Sequence, residues 1–75
     1  MRITIEYCVE WNYYPKAASL ADFLKREGYT NIEFIKSGGG VFEVEADGRL
    51  LFSKRKEGRF PENDEICDNI KIIKQ

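Results

Sequence analysis

Residues Arg2–Leu24 read RITIEYC, VEWNYYPK and AASLADFL, and the rest of the chain completes the layout that this stretch begins. Ile3, Ile5 and Tyr7 alternate with Arg2, Thr4 and Glu6, the period-two pattern of a strand with one buried face. Cys8 closes that strand. Pro15 suits a first helical turn, where its missing N–H is not needed. Ala17, Leu20, Ala21 and Leu24 then recur at i, i+3, i+4 and i+7, one apolar stripe with Phe23 at its margin. The spacing predicts a helix over Pro15–Glu27, with Lys25 and Arg26 at the negative end of its dipole and Gly28 as a left-handed cap. In α/β layouts the loop after such a strand is where ligands and chemistry sit. Cys8 is therefore the first candidate site residue, and N–H groups at the oncoming helix would favour its thiolate.

Further along, Asn31–Lys36 reads as a second strand with Ile32 and Phe34 on one face. Two strands joined by a helix of this length predict a parallel pair with a right-handed crossover. Ser37-Gly38-Gly39-Gly40 lacks the Lys-Ser/Thr and the following helix of a phosphate loop. It reads instead as a tight connection, or as a close backbone approach to the Cys8 loop. Val41–Ala46 alternates again, Asp47-Gly48 is a two-residue hairpin signal, and Arg49–Lys54 returns with Leu50 and Phe52 on one side. After a polar loop, Phe60-Pro61 is expected to open a second helix whose stripe is Ile66, Ile70 and Ile73, with Cys67 beside them.

One sheet face collects Ile3, Ile5, Tyr7, Ile32, Phe34, Phe42, Val44, Ala46, Leu50 and Phe52. The other is largely charged, with Ile35 and Leu51 its only large aliphatics. Both helices should therefore pack on one side. The fold class is α/β, a two-layer β-α-β-β-β-α sandwich with a four-stranded mixed sheet ordered 2-1-3-4. The expected core is Ile3, Ile5, Leu20, Leu24, Phe34, Phe42, Val44, Phe52, Ile66 and Ile70.

Seventy-five residues suit a single domain over 1–75. Such a chain buries only about 60% of its unfolded surface, so the core is thin. A net charge of −1 advertises neither nucleic acid nor membrane, and the basic run Lys54, Arg55, Lys56 and Arg59 reads as a solvated hairpin end. There is no histidine, which excludes a Ser–His or Cys–His relay, and no ligand spacing for zinc, so no metal site is expected. Two cysteines do not make a disulfide framework. Cys67 is expected as a free, buried thiol beyond disulfide reach of Cys8. With neither a leader pattern nor an apolar run of membrane length, a reduced, cytoplasmic protein is the expectation.

The motifs carry a resemblance. Tyr7-Cys8-Val9-Glu10-Trp11-Asn12-Tyr13-Tyr14-Pro15-Lys16, then Gly39-Gly40-Val41-Phe42-Glu43-Val44, then Asp47-Gly48 with Leu50, Phe52, Ser53, Lys54, Gly58, Phe60 and Pro61, stand in order along nearly the whole chain. In this the chain resembles the selenoprotein W-like (Rdx) family, which implies a thioredoxin-like fold and thiol-redox chemistry. In that family a second cysteine or selenocysteine stands three positions after the first. Here that position is Trp11, so Cys8 alone carries over and the CxxC motif is degenerate.

Two readings follow. In the first, Cys8 is a monothiol that attacks a disulfide or accepts glutathione, glutathione serving as co-substrate rather than as a resident cofactor, and an external thiol resolves the product. An accessible Cys8 is expected on this reading; the alternative is an inert Cys8 at a buried turn. In the second, the domain is a non-catalytic protein-binding module that uses Trp11 and Tyr13, since exposed aromatics are common interface anchors. The partners are a protein or a low-molecular-weight thiol or disulfide, and the chain is expected to be a monomer or weak dimer.

Overall fold

In the computed structural model, which describes residues 1–74, the alternating segments form four strands and the periodic ones form helices. They run β1 (Ile3–Cys8), α1 (Tyr14–Arg26), β2 (Ile32–Ser37), β3 (Phe42–Ala46), β4 (Arg49–Ser53), α2 (Lys54–Glu57) and α3 (Asn63–Lys74). The strands make one sheet ordered β2-β1-β3-β4, with β1 and β2 parallel and the other pairs antiparallel, as expected. The helices close one side of the sheet. Ala17, Leu20, Ala21 and Leu24 of α1 and Ile66, Cys67 and Ile70 of α3 join Ile3, Ile5, Phe42, Val44 and Phe52 in a single cluster.

Local chemistry explains the element ends. α1 stops in a Schellman motif: Gly28 is left-handed, its N–H donates to the Lys25 carbonyl, and the Tyr29 N–H donates to the Leu24 carbonyl at 2.9 Å. Asp47 and Gly48 both have positive φ, the geometry of the tight hairpin turn that Asp-Gly favours. α3 begins at Asn63 rather than at Phe60-Pro61. The Glu65 carboxylate accepts the Glu62 N–H at 3.1 Å, one half of a capping box that fixes the later start. Where a polar loop was expected after β4, the chain makes the single turn α2. The Ser53 side chain accepts from the Lys56 N–H at its start, and left-handed Gly58 closes it.

Three expectations about faces are corrected. Phe34 lies outside the core and is 39% exposed. β2 is an edge strand with a neighbour on one side only, so Phe34 rests against Tyr7 and Tyr14 at the rim, its ring centroid 6.3 and 5.7 Å from theirs. Leu50 and Leu51 exchange roles. A bulge opposite Val44/Glu45 sets Leu50 across from Glu45, exposed on the open face, and Leu51 packs against the core. One extra residue in a strand puts the side chains before and after it out of phase, so Leu50 leaves the face that Phe52 keeps, and simple alternation cannot anticipate it.

Candidate functional site

Cys8 ends β1 where three segments converge. Its N–H donates to the Val41 carbonyl, the next N–H, of Val9, donates to the Ser37 carbonyl, and the Tyr13 N–H returns to the Cys8 carbonyl, each at 3.0 Å. These bonds lock the loop of residues 9–13 between the β2–β3 connection and the start of α1. The turn closes through Asn12, which takes a left-handed conformation that Asn tolerates better than most residues. At the centre, the Trp11 N–H donates to Cys8 Sγ at 3.4 Å.

The glycine run is the wall of this loop, so the close-approach reading of Ser37–Gly40 describes the structure. A Cβ on Gly40 would overlap the six-membered ring of Trp11, standing 2.8 Å from Cε3 and closer still to Cζ3. A Cβ on Gly38 would stand 2.7 Å from Glu10 Oε1. Trp11 thus packs against bare backbone and is 62% exposed. Cys8 itself is 0% exposed. The accessible thiol expected on the monothiol reading is corrected: Cys8 lies at a buried turn.

Tyr13 stands edge-on to Trp11, their ring centroids 6.1 Å apart, and reaches on toward the core. Its ring packs edge-on against Phe60 at 4.8 Å, and Phe60 packs on Phe42 of the core at 5.3 Å. Lys54 Nζ stands 5.4 Å from the Tyr13 centroid and 5.3 Å from that of Phe60, and Lys16 Nζ stands 5.2 Å from Phe60. The basic run is therefore partly spent on the faces of this aromatic row. The structure brings Cys8, Trp11 and Tyr13 into one loop at three depths: buried sulfur, exposed indole, half-buried phenol. Sequence reading set the glycine run against the Cys8 loop but missed Phe60 and Lys54 as parts of the site. Three successive glycines are the signal for that approach, and Gly39 and Gly40 take the left-handed φ that such a run permits.

Beyond Phe60 a surface groove of about 420 Å³ runs between α1 and the start of α3, floored by Leu20, Phe23, Phe42 and Phe60. None of residues 8–13 lines it. Cys67 is also a free, buried thiol, and burial together with the Glu27 carboxylate pushes its pKa up. Arg59 forms a two-pronged pair with Glu65 at 2.9 and 2.8 Å, and that hydrogen bonding holds the Glu65 carboxyl below the usual range. Arg2 does the same for Glu33 at 2.6 Å. Among the described residues no group of three or more His, Cys, Asp or Glu is placed to hold a metal, and no helix is long and apolar enough to cross a membrane.

A cysteine at the end of a central strand, facing a loop before β3 and leading into a helix, is the arrangement of a thioredoxin-like thiol protein. The comparisons with known proteins narrow this. The family model described as "Rdx family" matches residues 2–72, and the chain belongs to that family. A selenoprotein W-related protein from Vibrio cholerae superposes with a TM-score of 0.88 at 25% identity, over 96% of this chain and 94% of that one. A Bordetella parapertussis protein superposes at 0.86 with 27% identity, over 93% and 92%. Migration and invasion enhancer 1 of Bos taurus is 36% identical over 73 residues, covering 95% of this chain and 63% of the bovine protein. The chain thus spans less than two thirds of the curated relatives it first matches. Membership of this family points to a thiol-redox-related function.

Proposed function

We propose that this domain is a thiol-redox protein that works through Cys8 alone. The observation that carries the reading is the hydrogen bond from the Trp11 N–H to Cys8 Sγ, which ties the sulfur at the end of β1 to the position where the family carries its second redox residue. Loss of the Cys8 proton to solvent leaves a thiolate. It attacks one sulfur of a small disulfide such as oxidised glutathione, forming a mixed disulfide and expelling the other half as a thiolate, which takes up a proton. A second external thiol then attacks the mixed disulfide, forms a new disulfide with the departing group and restores Cys8. Because the sulfur is covered, the 9–13 loop must lift from the glycine wall before attack.

Mass spectrometry after incubation with oxidised glutathione tests this. One adduct on the native chain and none on Cys8→Ser is the expected result. No adduct after long incubation refutes the redox reading.

The burial of Cys8 beside an exposed Trp11 favours a second reading, a binding module whose working part is the indole. Exposed Val9 and Tyr14 extend that surface, whereas Tyr13 is engaged with Phe60 and contributes by holding the loop. Binding that survives Cys8→Ser but not Trp11→Ala would select this reading. The assignment of the partner as a protein or a small thiol, and of the compartment as the cytoplasm, belongs to the same proposal.

A further inference from the structure

The two edges of the sheet are finished differently. On β4 a bulge shifts the register, the Asn69 side chain donates to the Leu51 carbonyl at 3.0 Å, and the strand runs directly into α2. Each of these blunts an edge against pairing with another strand. β2 is a regular six-residue strand with no proline and no bulge, and among the described residues no side chain bonds to its main chain.

Which of its main-chain groups are free follows from the pairing with β1. The Ile3 N–H donates to the Asn31 carbonyl and the Val9 N–H to the Ser37 carbonyl. Main-chain groups alternate in direction along a strand, so Glu33 and Ile35 also face β1. Ile32, Phe34 and Lys36 then turn their N–H and C=O groups outward. On the same strand Phe34 and Ile35, 39% and 42% exposed, place one large apolar side chain on each face of the edge.

We propose that the β2 edge docks a second copy of this chain, β2 against β2 about a two-fold axis perpendicular to the sheet, making one eight-stranded sheet. Such an axis keeps the helices of both copies on the same side, so residues that face each other across it must share a face. The register in which Ile35 meets Ile35 is the complementary one. Phe34 then faces Lys36 of the second copy, and because both turn their main chains outward they exchange N–H···O bonds, twice by symmetry. On the helix side, Phe34 with Tyr14 presents an aromatic surface to that lysine's ammonium. On the open side Ile35 packs on itself and Glu33 faces Ser37. Moving the axis to Phe34 would set Glu33 against Ile35 and Lys36 against Ile32, each charge against an aliphatic. No like charges oppose one another in the Ile35 register, and a net charge of −1 per chain opposes association little. The inference uses none of residues 8–13 and stands apart from the redox reading.

Light scattering and sedimentation equilibrium from micromolar to millimolar concentration test it on the full chain. The mass should rise from one chain to two, and Ile35→Lys, which sets two ammonium groups face to face at an exposed site, should hold it at one chain with an unchanged circular dichroism spectrum. Independently, Ile35→Cys in a Cys8→Ser, Cys67→Ala background should cross-link to a covalent dimer under mild oxidation, and Glu45→Cys on an interior strand should not. A native chain that stays monomeric at millimolar concentration overturns the proposal, as does a dimer indifferent to Ile35→Lys. A monomer whose Ile32, Phe34 and Lys36 amides are instead protected from exchange by an added extended peptide of unrelated sequence overturns it in favour of that occupant.

Discussion

Gly40→Ala is the sharpest probe of the thiol loop, because the structure assigns it two separable costs. Gly40 sits at φ 74, so any side chain there incurs left-handed strain of about 1 kcal/mol. The new methyl would also occupy the space of the Trp11 ring. A ring on an exposed loop gives way before backbone does, so the second cost is the contact Trp11 surrenders when it swings out. Its exposure of 62% leaves roughly two fifths covered, on the order of 100 Å² for an indole. At about 25 cal/mol per Å² the ceiling is about 2.5 kcal/mol. Gly39→Ala is the matched control: φ is 67, and a Cβ there meets nothing within 4 Å, so only the strain applies. The difference between the two variants should be about 1–2 kcal/mol, or about 1–2 M in urea midpoint for a small domain with a slope of about 1 kcal/mol per M. Trp11 is the only tryptophan, so native-state fluorescence should shift to the red in Gly40→Ala alone. In a Trp11→Ala background, Gly40→Ala should cost no more than Gly39→Ala. Equal midpoints for the two glycine variants in the native background would refute the stacking argument.

Phe60→Ala should destabilise by about 2–3 kcal/mol, at or below the lower end for buried aromatics because Phe60 is partly exposed, and chemical-shift changes should extend through Tyr13 into the Cys8 loop. A loss under 1 kcal/mol, about the scale of a surface change, would mean that the aromatic row does not hold the loop. Trp11→Cys should permit a closed disulfide between Cys8 and the introduced thiol on mild oxidation, read as loss of two hydrogens in mass and of free thiol titre; persistent thiols would count against a thiol-competent loop geometry. For Cys67 the folded pKa is raised, so its contribution to stability is whole below the unfolded thiol value of about 8.5 and falls away as pH rises from there through the folded value. The stability difference between native chain and Cys67→Ala should therefore narrow from neutral pH to about pH 10. A difference independent of pH would contradict the burial argument.

Much of the fold was legible because one property, the alternation of apolar and charged residues, recurs in four short runs with unambiguous punctuation. Asp47-Gly48 has few structural uses, and Gly28 after Lys25 and Arg26 has one obvious use, so the hairpin and the end of α1 could be placed from local chemistry. The misreadings arise where a residue's surroundings depend on something beyond its own segment. Phe34 has the pattern of a core residue but belongs to the strand that ends the sheet. Leu50 and Leu51 look interchangeable until the bulge assigns them. Ser53 and Gly58 were legible as the caps of a one-turn helix, but four charged residues between them carry no apolar stripe to draw attention. The burial of Cys8 could be weighed as one alternative but not fixed from its own segment. The contact beside it, Trp11 on Gly40, joins positions 29 apart and leaves as its local trace the absence of a side chain at three successive glycines.

The hydrogen bond to the Cys8 sulfur comes from the main chain of residue 11 and not from its side chain. Position 11 therefore carries two separable traits: the side chain sets whether a second redox atom exists, and the amide sets what the first one feels. Nineteen of the twenty amino acids supply that amide, so substitution at this site can add or remove an intramolecular disulfide while the donor to sulfur is inherited unchanged. Only proline deletes it. A lineage can in this way exchange dithiol for monothiol chemistry, and back, by a single replacement at a loop position whose backbone needs no redesign.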